Sequence, residues 1–230
     1  MLFNKTSSTA AILVMALIST GLLAHTDAPH KVDASADSAV IADIRASIPQ
    51  PGDKRIDKET YQANVLNAEL LDQNNDAFSL DDLSGRILLL QFIFTDCISV
   101  CPLQSTELEQ VRQKLMQESG NDNISYVTIT IAPSTDTPEK LRHFSSRFLT
   151  GYSSDDVIDW HFVTGKPDIV NRLGATLGSF STNLGDGQFD HNTTLFLLDS
   201  NGTLRQQYIG EPVDKERLSR EIKALASISE

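Results

Sequence analysis

An α/β fold, with a central mixed sheet flanked by helices, is what this sequence predicts from three observations. Apolar runs at 87–94 and 124–132 alternate with amphipathic segments at 102–116 and 138–149. The alternation then gives way to a hairpin pattern at 193–209 and a last helical pattern at 213–228. Both cysteines, Cys97 and Cys101, fall where the first buried strand runs into the first long helix.

From the N-terminus, residues 1–24 carry one charge, Lys5, and Ala10 to Ala24 is uncharged and largely apolar. That run is shorter than the roughly 20 residues of a membrane span and suits the h-region of an export signal. Neither Leu22 with Ala24 nor Thr26 with Ala28 makes a clean small-x-small cleavage site. Residues 1–24 are therefore expected either to be cleaved as a signal peptide or to be kept as an N-terminal membrane anchor. Both routes export the body, to a bacterial periplasm, free or anchored to the inner membrane. No cysteine stands near the apolar run, so no lipid attachment is expected. Residues 25–58 are polar, lack a sustained period and contain Pro49-Gln50-Pro51, which reads as a flexible tether. The folded domain is expected over 59–230.

Within it, short apolar groups around Asp72-Gln73-Asn74-Asn75-Asp76 predict an N-terminal β-hairpin. The turn imitates a calcium loop, but Ala77 and Leu83 stand where such a loop needs Gly and Glu, so calcium is not expected. Ile87 to Phe94 is apolar except for Gln91, as in a strand buried on both faces. Pro102 to Met116 is a helix, with Pro102 in its first turn, where a missing N–H costs nothing. Ile124 to Ala132 is a second central strand. Asp136-Thr137-Pro138-Glu139 starts a helix with Asp136 as cap, running to about Leu149. Gly151 to Asp156 is a loop, Trp160 to Thr164 a strand and Pro167 to Leu177 a helix. Thr193 to Leu198 and Thr203 to Ile209 pair over Ser200-Asn201-Gly202. A closing helix at 213–228 buries Leu218, Ile222 and Leu225. This order spells a thioredoxin-like fold with the 67–83 hairpin added at its N-terminal side.

The net charge of −12 excludes nucleic acid and anionic lipid head groups as natural partners, and leaves room for cationic ones. Two cysteines in an exported chain could form one structural disulfide. The three-residue loop between them is too short for a bridge to constrain much, so reversible redox chemistry or metal binding suits the pair better. Near a helix N-terminus, dipole and free N–H groups favour the thiolate, which is both nucleophile and soft metal ligand. An iron–sulfur cluster wants about four cysteines and structural zinc four donors. Copper(I) accepts two or three soft donors and fits this inventory best.

A third donor would come from histidine. His25 and His30 lie in the tether, His143 on a surface helix, and His161 in a strand beside Trp160. His191 lies just before the strand that faces the active-site turn in a thioredoxin-like sheet, so it is the histidine expected near both sulfurs. Asp190 is expected either to orient its ring or to cap the turn.

Thr95-x-Cys97-x-x-x-Cys101-Pro102, Thr137-Pro138-Glu139 and Asp190-His191-x-Thr193-Thr194 together resemble the Sco/SenC family over about residues 60 to 228. The resemblance implies a thioredoxin fold, copper held by Cys97, Cys101 and His191, and a metallochaperone or thiol-reductase role in building the copper centre of cytochrome c oxidase. The implied partners are a copper-accepting protein, such as an oxidase subunit, and a thiol–disulfide partner. Copper(I) is the expected cargo, with copper(II) open. Three positions depart from the family pattern: Asp96, Ile98 in place of Pro, and Ala132 in place of the first Asp of Asp-Pro-x-x-Asp.

The competing reading is an envelope thiol–disulfide oxidoreductase using Cys97 and Cys101 as its redox pair. Against that as the sole role, thioredoxins space their cysteines by two residues and carry a cis-proline where this chain has Thr193. A peroxidase is disfavoured because Thr95 stands two residues before Cys97, where the peroxiredoxin pattern needs three. The chain is thus expected to carry metal or disulfide chemistry rather than to be an enzyme in the strict sense.

Overall fold

The computed structural model describes residues 58–118, 122–149, 158–185, 188–210 and 212–227, all within the compact unit Ala34–Glu230. The expected signal or anchor at 1–24 and the tether, apart from Lys58, lie outside the described residues. So does the whole of the expected loop at 151–156.

Strand β3 (Ile87–Ile93) is the centre of the sheet, and all seven of its residues are buried. Strand period two sends its residues to alternate faces. Ile87, Leu89 and Ile93 join one core with Leu108, Val111, Leu115, Leu218 and Ile222; Leu88, Leu90 and Phe92 join the other with Val170, Leu173 and Leu177. One face is thus covered by α2 (Val100–Met116) and α5 (Lys215–Ala226), with Leu141 and Phe144 of α3 (Pro138–Ser145) in the same core. The other face is covered by α4 (Pro167–Leu177) and by a π turn, Gln62–Leu66, that continues the short α1 (Lys58–Tyr61).

Around β3 the main sheet also holds β1 (Leu70–Leu71), β2 (Ala77–Phe78), β4 (Ile124–Thr130), β5 (Asp159–Gly165), β8 (Thr194–Leu198) and β9 (Leu204–Ile209). Their order is β2-β1-β5-β4-β3-β8-β9. β3, β4 and β5 run parallel, while β8 is antiparallel to β3, with Leu90 opposite Phe196. The start of β8 therefore lies beside the end of β3, where the cysteines follow. Gln91, the polar residue in β3, is buried but bonded: its Nε2 donates to Thr128 Oγ1 at 2.7 Å and to Ser105 Oγ at 3.2 Å. It ties α2 to the sheet one helical turn past Cys101.

The N-terminal hairpin is β1 and β2, and its turn uses Asp72 internally: Oδ1 accepts the amides of Asn74 at 2.8 Å and Asp76 at 2.9 Å. These two bonds close the turn. Three expectations need correction. The cap of α3 is Thr137, whose side chain accepts from Lys140 N at 3.3 Å, and Asp136 is instead buried beneath the cysteine turn. α3 ends at Ser145 rather than Leu149; the amides of Arg147 and Phe148 bond three residues back, which tightens the chain out of α geometry. A second hairpin, β6 (Ser181–Gly185) with β7 (Gln188–His191), was not expected at all.

In the β8–β9 turn, Gly202 has φ +71°, and a Cβ there would meet Leu66 Cδ2 at 2.7 Å. Gly202→Ala combines left-handed strain with a clash against a buried side chain. It is expected to lower stability by about 2 kcal/mol, read as a lower urea midpoint at unchanged slope.

Candidate metal centre

The two thiols are placed by the end of β3. After Phe94 the chain turns, with Cys97 N donating to Phe94 O at 3.1 Å, and α2 begins at Val100 with Ser99 as its N-cap. Cys97 thus lies just outside the helix and Cys101 in its first turn. The first amides of a helix lack partners within it, and one of them is used here: Cys101 N donates to Cys97 Sγ at 3.4 Å. Both cysteines are buried, and no disulfide joins them.

Their protons are held unequally. Cys97 is pulled from 9.0 down to about 5, chiefly by the side-chain hydrogen bond from Cys101, with the Ser99 and Cys101 amides and the charge of His191 adding to it against burial. Cys101 is pushed up, first because it is the donor in that bond, then by burial and by the Cys97 charge. The pair holds one proton: thiolate at Cys97, thiol at Cys101.

His191 arrives from the unexpected hairpin. It ends β7, paired with Ser181, and its Nε2 lies 4.0 Å from Cys101 Sγ, although 90 residues separate the two in the chain. Its Nδ1 faces the carbonyl of Asn192 at 3.3 Å. Neither expected role of Asp190 is seen, since the carbonyl orients the ring and Asp190 is exposed. Phe94 meets the imidazole edge-on at 6.0 Å and also packs on Phe189, giving the ring an apolar wall. Asn192 fixes the loop. Its Nδ2 donates to Gly178 O and Thr194 Oγ1, and its Oδ1 accepts from Phe180 N at 2.7 Å. Two other histidines lie elsewhere: His143 is exposed on α3, and His161 pairs with Asp159 at 2.9 Å and packs on Phe78. His25 and His30 lie outside the described residues.

Asp136 was missed as part of this centre. Buried, it accepts from Thr95 N at 3.0 Å, Thr95 Oγ1 at 2.6 Å and Thr130 Oγ1 at 2.6 Å. It thereby clamps the turn two residues ahead of Cys97. In the sequence, Asp136 reads as the cap of α3, and nothing local points from it to Thr95. Asn192 left as little trace, since an Asn beside a strand is an ordinary loop residue.

No three His, Cys, Asp or Glu side chains among the described residues stand as a completed metal cluster. The donors nonetheless suit a soft cation. With metal–sulfur and metal–nitrogen bonds of about 2.3 and 2.0 Å, one ion can bridge the 4.0 Å between Cys101 Sγ and His191 Nε2. Cys97, already a thiolate, stands one helical turn away.

The comparisons with known proteins agree with this layout. The SCO1/SenC family model matches residues 58–227. A Stutzerimonas stutzeri protein described as copper-binding is 31% identical over 172 residues, covering 69% of this chain and 79% of its own. The SCO1 homologue of Bacillus subtilis is 26% identical over 149 residues, covering 60% and 70%. Among solved structures, a SCO1/SenC family lipoprotein from Bacillus anthracis superposes with TM-score 0.61 at 25% identity, over 69% of this chain and 92% of that one. Copper-bound ScoI of Arabidopsis thaliana shares the fold, with TM-score 0.60 at 20% identity, over 69% and 96%. A family match across three-quarters of the chain, on a thioredoxin-like sheet that brings Cys101 against His191, means that this chain belongs to the SCO1/SenC family.

Proposed function

We propose that this protein is an envelope metallochaperone that holds copper(I) through Cys97, Cys101 and His191 and delivers it to a copper-accepting protein, such as a cytochrome c oxidase subunit. The observation that carries this reading is the 4.0 Å approach of His191 Nε2 to Cys101 Sγ, beside a second sulfur held as thiolate. Relatives support the cargo and the acceptor: one is described as copper-binding, and another, BsSco, as a member of the Sco family of cytochrome c oxidase assembly proteins. The apolar run 10–24 supports export, and with it the division into a signal or anchor at 1–24, a tether at 25–58 and a copper domain at 59–230.

Transfer follows from the donor set. Two thiolates and an imidazole bind a soft ion without enclosing it. An acceptor's thiolate or imidazole then displaces them one at a time, and copper never enters solution. Copper(I) titration of the reduced protein is expected to end at about one equivalent. His191→Ala is expected to weaken binding by about tenfold or more, against a competing chelator. Unchanged affinity and unchanged copper spectrum would remove the imidazole from the site.

The proton inventory gives a pH test. At neutral pH Cys97 is already ionised and Cys101 still carries its proton. Loading must therefore expel about one proton, and affinity should rise about tenfold per pH unit between pH 7 and 8. A slope near two in the same titration would mean that both thiols start protonated.

The unequal thiols also favour a second reading, and a disulfide switch is described for BsSco. Cys97 thiolate would attack a partner disulfide to form a mixed disulfide, releasing one partner thiolate. Cys101, losing its proton, would then displace the second. This chain ends oxidised and the partner gains two thiols. Reduction of a model disulfide that persists with copper present, in His191→Ala, would favour this role over delivery.

A further inference from the structure

Large apolar side chains left exposed in this molecule are not scattered. Among the described residues they are Leu71, Ile98, Leu103, Phe180, Leu184 and Ile209, and all but Leu71 lie within three residues of Cys97, Cys101 or His191, directly or across one pairing or hydrogen bond. Ile98, 96% exposed, lies between the two cysteines, and Leu103 follows Cys101 in the first turn of α2. Phe180, 69% exposed, accepts from the backbone N–H of Asn192, the residue after His191, and its own N–H donates to Asn192 Oδ1. Ile209, 81% exposed, pairs with Thr194, and Gly210 N next to it donates to Thr193 O. Leu184 lies on β6, in the hairpin that carries His191. Single exposed apolar residues are ordinary, but several on the segments that carry the metal ligands mark a contact surface.

The charged residues next to the ligands in the chain, Asp96 and Asp190, are acidic. Asp96 is exposed beside Cys97, and Asp190 is exposed beside His191. Lys140 approaches Asp96 at 3.7 Å, both side chains being well exposed, which is a weak contact. The chain as a whole carries −12.

We propose that this apolar collar is the docking face for the copper acceptor: a folded protein that presents its own thiolate and imidazole donors within an apolar surface rimmed by lysine and arginine. The inference rests on the delivery reading above, because only an acceptor brought into direct contact can replace Cys97, Cys101 and His191 without releasing the ion. An apolar ring around the donors excludes water during the exchange, and Asp96 and Asp190 select a cationic rim and speed encounter. Ile98 is the central anchor. It projects from the loop between the two sulfurs, so its burial and the approach of the acceptor's donors are one event.

The test uses the full-length, copper(I)-loaded protein with two acceptors: the apo copper-binding domain of a cytochrome c oxidase subunit II, and glutathione. The double variant Ile98→Gln, Ile209→Gln changes two exposed side chains and adds no charge. Transfer to the oxidase domain, at acceptor below saturation, is expected to slow by about tenfold or more, with transfer to glutathione unchanged. Raising ionic strength from about 0.01 to 0.15 M, which shortens the Debye length from about 30 to 8 Å, should slow the first transfer only. Wild-type rates to the oxidase domain in the double variant would overturn the docking face and leave delivery standing. Equal slowing toward glutathione would overturn it too, by showing damage to the site itself. A wild-type dimer dispersed by the double variant, with transfer unaltered, would assign the collar to a second copy of this chain. Failure of the wild type to load the oxidase domain would remove the delivery reading, and this inference with it.

Discussion

Cys101→Ser is expected to cost more than about a hundredfold in copper(I) affinity, beyond the 10–100-fold typical of changes outside the coordination shell. Serine replaces a soft, polarisable sulfur by a hard oxygen that stays protonated at neutral pH, and copper(I) selects against such a donor. The serine hydroxyl can still donate to Cys97 in place of the Cys101 thiol, so the loss is that of one soft ligand. Competition titration against a copper(I) chelator at pH 7 measures it, and a change below about tenfold would exclude Cys101 from the site. Cys97→Ser is expected to be of similar size, although it leaves Cys101 as an isolated buried thiol.

Asp136→Ala is expected to lower the unfolding free energy by about 3–5 kcal/mol. The carboxylate is buried and accepts three hydrogen bonds, from the Thr95 amide, the Thr95 hydroxyl and the Thr130 hydroxyl. Removing it strands the Thr95 amide without an acceptor and opens a small cavity beneath the turn. Copper affinity should fall with stability, because Thr95 fixes the chain two residues before Cys97 and a binding site tolerates little displacement. Asp136→Asn, which keeps the shape and part of the hydrogen bonding, should cost less than half as much. Urea unfolding of the reduced protein decides it: a loss under about 1 kcal/mol for Asp136→Ala would show that the turn holds itself.

Both predictions turn on residues that the sequence revealed to different degrees. Pro167 to Leu177 was bounded correctly because Pro in the first turn and Gly178 at the C-cap, with φ +86°, are local signals. β3 was legible because a strand covered on both faces must be nearly all apolar. The cysteine pair was legible because its spacing and the strand and helix around it are all short-range features. The β6–β7 hairpin was not. Its first strand, Ser181–Gly185, is exposed throughout, so no apolar alternation records it. Asp136 read as a cap because Asp before Thr-Pro is ordinary cap chemistry, and Thr137 then took that role itself.

The sequence by itself determined the two thiols, the helix start at which they sit, and the α/β order that makes a thioredoxin-like sheet. Only the tertiary structure decided which distant groups reach those thiols. Because β8 runs antiparallel to β3, the loop entering β8 comes back to the end of β3, and His191 meets Cys101 across 90 residues of chain. The clamp from Asp136 to Thr95 arises in the same way, since β4 lies parallel to β3 and both chains leave the sheet at one edge. Helix starts and buried strands are written within a few residues of themselves, whereas contacts of this kind are fixed by strand pairing, which brings together segments whose local sequences carry no record of each other.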